Sequence, residues 1–281
     1  MRWLFWRSWT NTFRDVILFR VRVMQALFIA IILGLVYLQI ELDQKGVQDI
    51  NGAMFLMIMF TSFSNNFAII NSFPIEISIF MREYGSGLYR VDTYYLTKTF
   101  AEMPVFWVIS ILFTTITYWM MGLYNSTEAY LVAVAILLLV ANVAVSFGYG
   151  ISAAAGDVTV ALAIAPALTI PFLLFGGLFV NTDNIPDYFI WLEYLSWFKY
   201  ANEVMLINQW DNIDEIPCEI NKTPSIAQRP CGYKTGEDVL NVFSVDKGNY
   251  WRDIGALFGL IAGFRLISFL ILYIKARRSK G

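Results

Sequence analysis

An uncharged run that contains two prolines, residues 158–182, limits what this chain can fold into. It reads VTVALAIAPALTIPFLLFGGLFVNT and holds no charged side chain in 25 residues. A helix of about 20 apolar residues crosses a bilayer core of about 30 Å, so the run is long enough to span a membrane. Pro166 and Pro171 each lack a backbone N–H, and we expect them to break or kink the helix. Gly176 and Gly177 then allow backbones to approach closely.

Such an interrupted helix is acceptable in lipid where it lines a cavity or is buried against other helices. We therefore interpret the run as the wall of a translocation path that Leu178 and Phe179 narrow near one end. A kinked packing helix explains the same pattern equally well.

Composition also places the chain in a membrane, because 58% of its residues are hydrophobic and 15% are charged. Soluble domains average about 45–50% apolar and about 25% charged residues. Six uncharged stretches reach spanning length. They lie at 23–40, within 50–75, within 103–127, within 129–156, at 158–182 and at 254–274, the last interrupted by Arg265. An even number of spans puts both termini on one side.

The distribution of Lys and Arg predicts which side that is. Twelve of them fall in residues 1–22, 74–103 and 275–281, on one side of the six-span arrangement, whereas the short loops opposite contain only Lys45. The long segment 183–253 counts little, because long loops are translocated largely regardless of charge. Both termini are therefore predicted to be cytoplasmic.

Residues 1–20 form an amphipathic pattern. Trp3, Trp6 and Trp9 share one arc of a helix, while Arg7 and Arg14 share the other. This is typical of a helix that lies on the membrane surface. It either contacts a cytoplasmic partner or only anchors the chain.

Residues 74–103 form the only sizeable cytoplasmic loop of this arrangement. We expect Pro74 to stop the preceding helix, and Gly85 and Gly87 to break any helix that begins after it. Residues 75–83 then form a short helix parallel to the membrane. This helix is a candidate docking surface or an ordinary amphipathic connector.

The second span has a polar face. Its i,i+4 pairs are Thr61 with Asn65 and Ser62 with Asn66, bordered by Phe63 and Phe67. Amide groups in hydrocarbon need partners or water, so this face points inward. It either joins helices by hydrogen bonds or lines a cavity.

Glycines and one arginine mark the last spans. Gly148 and Gly150 flank Tyr149 inside a long helical run, without the loop that an ion filter needs, and favour tight packing. Gly255, Gly259 and Gly263 form a small-residue ridge that we expect to pack closely inside the subunit, with a dimer seam as the alternative. For Arg265, which is costly in a helix centre, we favour a structural ion pair.

Residues 183–253 are predicted to be extracellular. Aromatic residues are dense in 185–209, which indicates short helices that dip into the outer leaflet. Cys218 and Cys231 enclose 12 residues, and in an oxidising compartment they would pair, within the chain or between subunits. Asn221 begins a glycosylation sequon in that loop.

Several chemistries lack their residues in this sequence. There is no histidine, so Ser or Cys triads of the usual kind are excluded, and no metal site is predicted. No phosphate-binding G-x-x-x-x-G-K-[ST] loop occurs, and Arg does not repeat every third residue as in a voltage sensor. We predict no catalytic residues; the chain is a transport module or a scaffold.

Three runs resemble a known family: FMREYGSGLYRVDTYYLTKTFAEMP at 80–104, LLFGGLFVN at 173–181 and WLEYLSWFKYANEVMLINQW at 191–210. They are similar to the membrane domain of G-subfamily ABC transporters, and most of all to half-transporters of the White/Scarlet type. The similarity extends over nearly the whole chain. It implies an all-α integral membrane domain with six transmembrane helices, an N-terminal interfacial connecting helix and short re-entrant helices in the last extracellular segment.

The resemblance also implies a division of the chain. Its parts are a cytoplasmic connecting helix at 1–22, transmembrane helices 1–5 at 23–182 with the coupling loop 74–103, extracellular re-entrant helices and a disulfide loop at 183–253, and transmembrane helix 6 with a basic tail at 254–281.

Site residues are implied by matching positions. The substrate cavity would be lined by Ser62, Phe63, Asn65, Pro166, Thr169, Ile170 and Leu173, below a plug of Leu178 and Phe179. Contact with a nucleotide-binding domain would be made by Phe80, Arg82, Glu83 and Tyr84. No cofactor is expected in this chain, because ATP and Mg would be bound by that domain, which these residues do not contain.

The resemblance finally implies partners, a place and a substrate class. The partners are a nucleotide-binding domain, a second half-transporter as homo- or heterodimer, and the lipid bilayer, with no nucleic acid. The place is the plasma membrane or an intracellular vesicle or pigment-granule membrane. The substrate is a small planar or lipophilic molecule, such as a tryptophan- or guanine-derived pigment precursor or a sterol. A gradient-driven transporter, a channel and a non-transporting scaffold remain the alternatives.

Overall fold

A computed structural model describes residues 6, 7, 10, 16–179, 187–217 and 232–278. Within these ranges the chain is helical and contains no strand, which confirms the all-α prediction for them. The helices are α1 (Val16–Val36), α2 (Gly46–Gly85), α3 (Val91–Met121), α4 (Thr127–Ala155), α5 (Val158–Leu174), α6 (Ile190–Leu195), α7 (Trp197–Trp210), α8 (Gly236–Val242) and α9 (Tyr250–Arg278). Short 3₁₀ turns at Asp187–Phe189 and Lys247–Asn249 precede α6 and α9.

The long helices run back and forth between two ends of a bundle. Residues 86–90 join α2 to α3 at one end, which we call the 86–90 end. The last turn of α9 lies there too, since Lys275 donates from Nζ to the carbonyl oxygen of Ala153 at the end of α4. A cation is favourable at that place, because the last carbonyls of a helix carry partial negative charge. The short helices α6, α7 and α8 belong to the opposite end.

The helix α4 lies at the centre and packs against α2, α3, α5, α7 and α9. Small residues make this possible. A Cβ atom on Gly148 would lie 2.9 Å from Asn66 Oδ1 and 3.2 Å from Asn66 O, so α2 passes directly over this glycine. The tight packing predicted for Gly148 is therefore confirmed.

Five of the described helices, α1 to α4 and α9, are long and apolar enough to cross a membrane. The fifth predicted span, residues 158–182, contains instead the 17-residue helix α5. Of the predicted break or kink at its prolines the break is wrong, because the helix runs through Pro166 and Pro171 and ends at Leu174, while a kink stays a prediction. After it Gly177 adopts φ +83°, a left-handed conformation that glycine accepts without strain. The structure does not confirm six spans.

The prediction that Pro74 ends the second span is also wrong. The helix α2 continues through Pro74 to Gly85, and α3 begins at Val91, so the expected loop 74–103 shrinks to residues 86–90. Proline removes only one N–H, and buried side chains on both sides of it, Phe73 and Ile77, hold α2 in the core. Residues 75–83 are thus the end of a long helix, not a separate short one.

Two expectations for α9 need correction. A Cβ atom on Gly255, Gly259 or Gly263 would meet nothing within 4 Å among the described residues, so the glycine ridge does not pack against that part of the chain. Arg265 donates from Nε to Ser146 Oγ at 3.1 Å and from Nη2 to Asn142 Oδ1 at 3.3 Å. Neutral oxygens thus bind the guanidinium where we expected a carboxylate.

The described residues include only parts of the predicted connecting helix and of the predicted extracellular segment 183–253. The helices α6 and α7 are present in the predicted aromatic segment, but whether they dip into a membrane stays a prediction. Residues 1–5, 8, 9 and 11–15 of the connecting helix lie outside the described residues, as do Cys218, Cys231 and the sequon residue Asn221.

Candidate functional site

The polar face of α2 is divided among three neighbouring helices. Ser62 Oγ accepts a hydrogen bond from Trp197 Nε1 of α7 at 3.1 Å. Asn65 donates from Nδ2 to the carbonyl oxygen of Thr61 at 2.7 Å and to Ser110 Oγ of α3 at 3.5 Å. Both residues are buried, so in this chain alone they join helices. This is the first of the two interpretations that the sequence allowed.

The next turn of α2 is joined to α5. Asn66 donates from Nδ2 to Thr169 Oγ1 at 3.3 Å, and that hydroxyl donates to the carbonyl oxygen of Ala165. Asn66 was not among the predicted site residues, although its i,i+4 spacing to Ser62 was visible. Thr169 is buried as well, so the two residues fix α5 against α2.

The remaining predicted cavity residues lie on the accessible side of α2 and α5. Phe63 stacks on Phe67 with ring centroids 6.0 Å apart and an angle of 19° between the rings. Pro166 and Leu173 are half-buried, and Ile170 is exposed. The predicted set is therefore split between buried and more accessible positions, and a role in substrate binding stays a prediction for all seven residues.

The predicted plug lies in the turn that follows α5, at the end opposite residues 86–90. Phe179 packs edge-on against Phe55 of α2 with centroids 5.5 Å apart, and it is 59% exposed. Leu178 packs against the main core. The turn approaches α2 and α7 closely, because a Cβ atom on Gly176 would lie 2.8 Å from the Phe55 ring and 2.9 Å from Phe198.

At the 86–90 end the predicted contact residues differ in exposure. Phe80 is buried and stacks on Tyr94 with centroids 4.3 Å apart, whereas Arg82 is exposed and Tyr84 is half-buried. Glu83 is paired with Arg7, whose Nη2 lies 3.0 and 3.1 Å from its two carboxylate oxygens.

Glu83 also accepts a hydrogen bond from the hydroxyl of Tyr89. Burial raises the pKa of Tyr89, and the neighbouring Glu83 carboxylate raises it further, so this hydroxyl keeps its proton and remains a donor. Glu83 thereby connects the N-terminal residues to the turn between α2 and α3.

Sequence reasoning missed a buried ionic cluster just inside this end. Lys98 of α3 is 4% exposed, and its Nζ lies 2.5 Å from Glu76 Oε1 and 2.7 Å from Glu102 Oε1. Tyr149 of α4 donates its hydroxyl proton to Glu102. The i,i+4 spacing of Lys98 and Glu102 was a visible signal. The predicted loop 74–103 contains Lys98, however, and in a loop the i,i+4 spacing does not place two side chains next to each other.

The chemistry of these surfaces is that of binding and contact. The described residues contain no group of three His, Cys, Asp or Glu that could hold a metal ion. The accessible part of the α2–α5 face contains neutral aromatic and aliphatic side chains, and the 86–90 end contains charged and aromatic ones. Such an arrangement suits an apolar ligand on the first surface and a protein partner on the second.

Comparison with known proteins agrees with this arrangement. The family of ABC-2 type transporters matches residues 1–210. Protein white of Ceratitis capitata is 43% identical over 281 residues, which are 99% of this chain and 40% of that protein. Protein scarlet of Drosophila melanogaster is 34% identical over 277 residues, which are 98% of this chain and 40% of that protein.

A third relative is described by a two-part name. The ABC transporter ATP-binding protein/permease wht-1 of Caenorhabditis elegans is 38% identical over 274 residues, which are 97% of this chain and 41% of that protein. The chain thus spans about two fifths of the length of these relatives. It belongs to the ABC-2 type transporter family, as a membrane domain of the White/Scarlet type in the G subfamily of ABC transporters.

Proposed function

We propose that this chain is the membrane-spanning domain of an ATP-driven half-transporter, which moves a small planar or lipophilic substrate by alternating access. A nucleotide-binding domain, in the same longer chain or in a separate one, would bind ATP and Mg and supply the energy. The family match supports this proposal, as does the name of wht-1, which joins an ATP-binding protein to a permease.

One observation carries the proposal, namely the incomplete packing of α5. This helix buries only Ala161, Ala165 and Thr169. Its other side exposes a row of apolar residues, Val160, Ile164, Leu168, Ile170 and Leu174. Phe67 of α2 packs against the cluster that contains Ala161 and Ala165, and Phe63 stacks on Phe67. A second half-transporter placed against this surface would enclose a cavity between two copies of α2 and α5.

The contacts of α5 favour its role as a sixth span. Near its start Ala161 and Ala165 pack with Ile70, and the turn after its end lies against Phe55. These two positions on α2 are separated by about 22 Å at 1.5 Å per residue. The helix thus follows α2 over most of the thickness of a bilayer core, with Leu178 and Phe179 as the proposed plug.

The substrate class follows from the accessible side chains. The stacked rings of Phe63 and Phe67 and the aliphatic row of α5 offer apolar contact and aromatic stacking without a charge. A tryptophan- or guanine-derived pigment precursor or a sterol would suit them. The membrane would be the plasma membrane or that of a vesicle or pigment granule, with both termini and the 86–90 end in the cytoplasm.

A transport assay with two phenylalanine variants tests the proposal. The full transporter and its partner would be reconstituted in vesicles, and the ATP-dependent accumulation of tryptophan and guanine would be measured. We expect Phe63→Ala to reduce the rate severalfold. Phe28→Ala, which changes an exposed ring of α1, a helix that packs mainly against α3, should leave the rate unchanged.

Other outcomes would identify the alternatives. Accumulation that persists without ATP would indicate a gradient-driven transporter or a channel. A transporter whose rate is equal in both variants would contradict the placement of the cavity. An absence of any movement, with ATP hydrolysis intact, would favour a scaffold.

A further inference from the structure

Five charged side chains meet where α6, α7 and α9 join, at the end of the bundle opposite residues 86–90. Three are acidic and two are basic: Glu193 of α6, Lys199 and Glu203 of α7, and Arg252 and Asp253 of α9. Glu193, Glu203 and Asp253 are all buried, and Asp253 is fully so. Burying an unpaired charge costs several kcal/mol, so the balance of charge matters here.

Each of the two cations is already paired with an acid other than Glu203. Lys199 binds Glu193 directly, while its Nζ lies 3.8 Å from Glu203 Oε1. Arg252 donates from Nε to Asp253 Oδ1 at 3.1 Å, while its Nη2 lies 3.7 Å from Glu203 Oε2. Both distances to Glu203 exceed hydrogen-bond length. Glu203 is therefore the acid left without a close cation.

The second carboxylate oxygen of Asp253 points to a missing donor. Oδ2 is buried and has no hydrogen-bond partner among the described residues when all three acids of the cluster are ionised. Glu203 and Asp253 both lie against the Arg252 guanidinium, and between two carboxyl groups a hydrogen bond can form only if one of them carries a proton. Burial raises the pKa of the Glu203 side chain, and its contact with Asp253 raises it further.

We propose that Glu203 and Asp253 bind one proton between their carboxyl groups and form a proton site that joins α7 to α9. With this proton the cluster has two positive and two negative charges. Release of the proton leaves an unpaired buried negative charge and removes the hydrogen bond between the two helices. Alkaline solution on this side of the membrane therefore loosens the junction. The inference does not depend on the transport function proposed above.

The other groups around the site do not compete with Glu203 for this role. Tyr200 keeps its proton, and the charged neighbours are already paired. On α7, burial raises the pKa of Tyr200 to about 12, and its hydroxyl donates to the carbonyl oxygen of Tyr194. The Lys199 ammonium lies 5.7 Å from the centre of the Tyr194 ring. Lys199 and Glu193 remain bound to each other. Glu203 is thus the group of this cluster that releases a proton as the pH rises.

The sign of the pH dependence follows from the raised pKa. In the folded protein Glu203 keeps a proton that the unfolded chain releases near the ordinary glutamate pKa of about 4.3. The contribution of this proton to folded-state stability is therefore fully present below the unfolded pKa and is lost as the pH rises to the raised pKa. In that range each pH unit changes the ratio of folded to unfolded protein about tenfold.

Thermal unfolding of the purified transporter in lipid nanodiscs, measured from about pH 5 to pH 9, tests the proposal. We expect the midpoint of the unaltered protein to fall as the pH rises. Glu203→Gln cannot release a proton and still offers an N–H to Asp253, so its midpoint should stay nearly constant. Asp211→Asn is the matched control, since Asp211 forms an exposed ion pair with Lys247 at the same end. It should retain the fall of the unaltered protein.

A second variant retains Glu203 and changes only its surroundings. Glu193→Gln frees Lys199, which already lies 3.8 Å from Glu203. We expect Glu203 to bind this cation and to lose its proton at lower pH, so that the fall moves to lower pH. Infrared absorption of protonated carboxyl groups should show one band in the unaltered protein that disappears over the pH range in which the unfolding midpoint falls. In Glu193→Gln the band should disappear at lower pH.

Three results would overturn the inference. The first is an equal pH dependence in Glu203→Gln and the unaltered protein. The second is an infrared spectrum without a carboxyl band that disappears as the pH rises. The third is a Glu193→Gln variant whose midpoint and band change at the same pH as in the unaltered protein.

Discussion

Substituting alanine for two glycines in different helices tests how closely α2 and α4 pack. A Cβ atom on Gly148 would lie 2.9 Å from Asn66 Oδ1, 3.2 Å from Asn66 O and 3.3 Å from Ile69 Cβ. Carbon atoms in contact prefer about 3.5–4.0 Å, so α2 has to move away by a few tenths of an ångström. The same atom on Gly259 would meet nothing within 4 Å.

The comparison of the two variants isolates the packing energy. Replacing a glycine inside a helix with alanine stabilises it by about 0.5–1 kcal/mol, and this gain is common to both positions. Overpacking costs about 1–3 kcal/mol and applies to Gly148→Ala only. We therefore expect Gly148→Ala to be less stable than Gly259→Ala by about 1–3 kcal/mol. At about 2–4 °C per kcal/mol, the unfolding midpoints should differ by several degrees.

The assay is thermal unfolding of the full transporter in nanodiscs, followed by size-exclusion chromatography. Equal midpoints for the two variants would refute the reasoning, because they would show that α2 and α4 do not meet at Gly148. A loss confined to Gly259→Ala would show that the open face of α9 packs against another chain. In that case the glycine ridge would be a subunit seam, the alternative left open by the sequence.

Two further predictions concern the 86–90 end. Lys98→Met leaves Glu76 and Glu102 without their buried cation, so we expect a loss of about 3–5 kcal/mol and a lower folded yield, measured by thermal unfolding and chromatography. Arg90→Met, which removes an exposed ion pair with Asp92, should cost less than about 1 kcal/mol. Glu83→Gln should leave stability nearly unchanged and should reduce substrate movement per ATP hydrolysed, because Glu83 joins Arg7 to Tyr89. Unchanged coupling in Glu83→Gln would count against the contact assignment.

The sequence predicted those helices well whose positions follow from the length of an uncharged apolar stretch alone. The spans within 103–127 and 129–156 correspond to α3 and α4, and the turn signal at Gly87 lies in the short connection 86–90, where φ is +77°. The prediction for Pro74 was wrong because the effect of this proline depends on tertiary contacts. Buried residues on both sides of it hold the continuous helix α2 in the core, and local sequence does not reveal them.

The contacts of the candidate surfaces were predicted only in part. The polar residues of α2 were recognised, but their partners are far away in sequence, such as Trp197 for Ser62 and Thr169 for Asn66. The spacing of residues on one helix identifies a face but not the helix that lies opposite. The same limit explains the glycine ridge of α9, whose spacing indicated close packing while its face in this chain is open.

The distribution of polar residues explains why the centre of this membrane domain was the harder part to predict. The most apolar helix, α5, buries three of its 17 residues, whereas α7, which contains Asn, Gln, Glu and Lys, buries 12 of 14. In lipid an apolar side chain gains little by leaving the surface, while a polar one needs a partner inside the protein. Trp210 of α7, for example, donates to Oδ1 of the buried Asn51 of α2. In such a chain polar residues within apolar runs indicate the interior, and a helix with few of them, such as α5, is the one expected to face lipid or a partner.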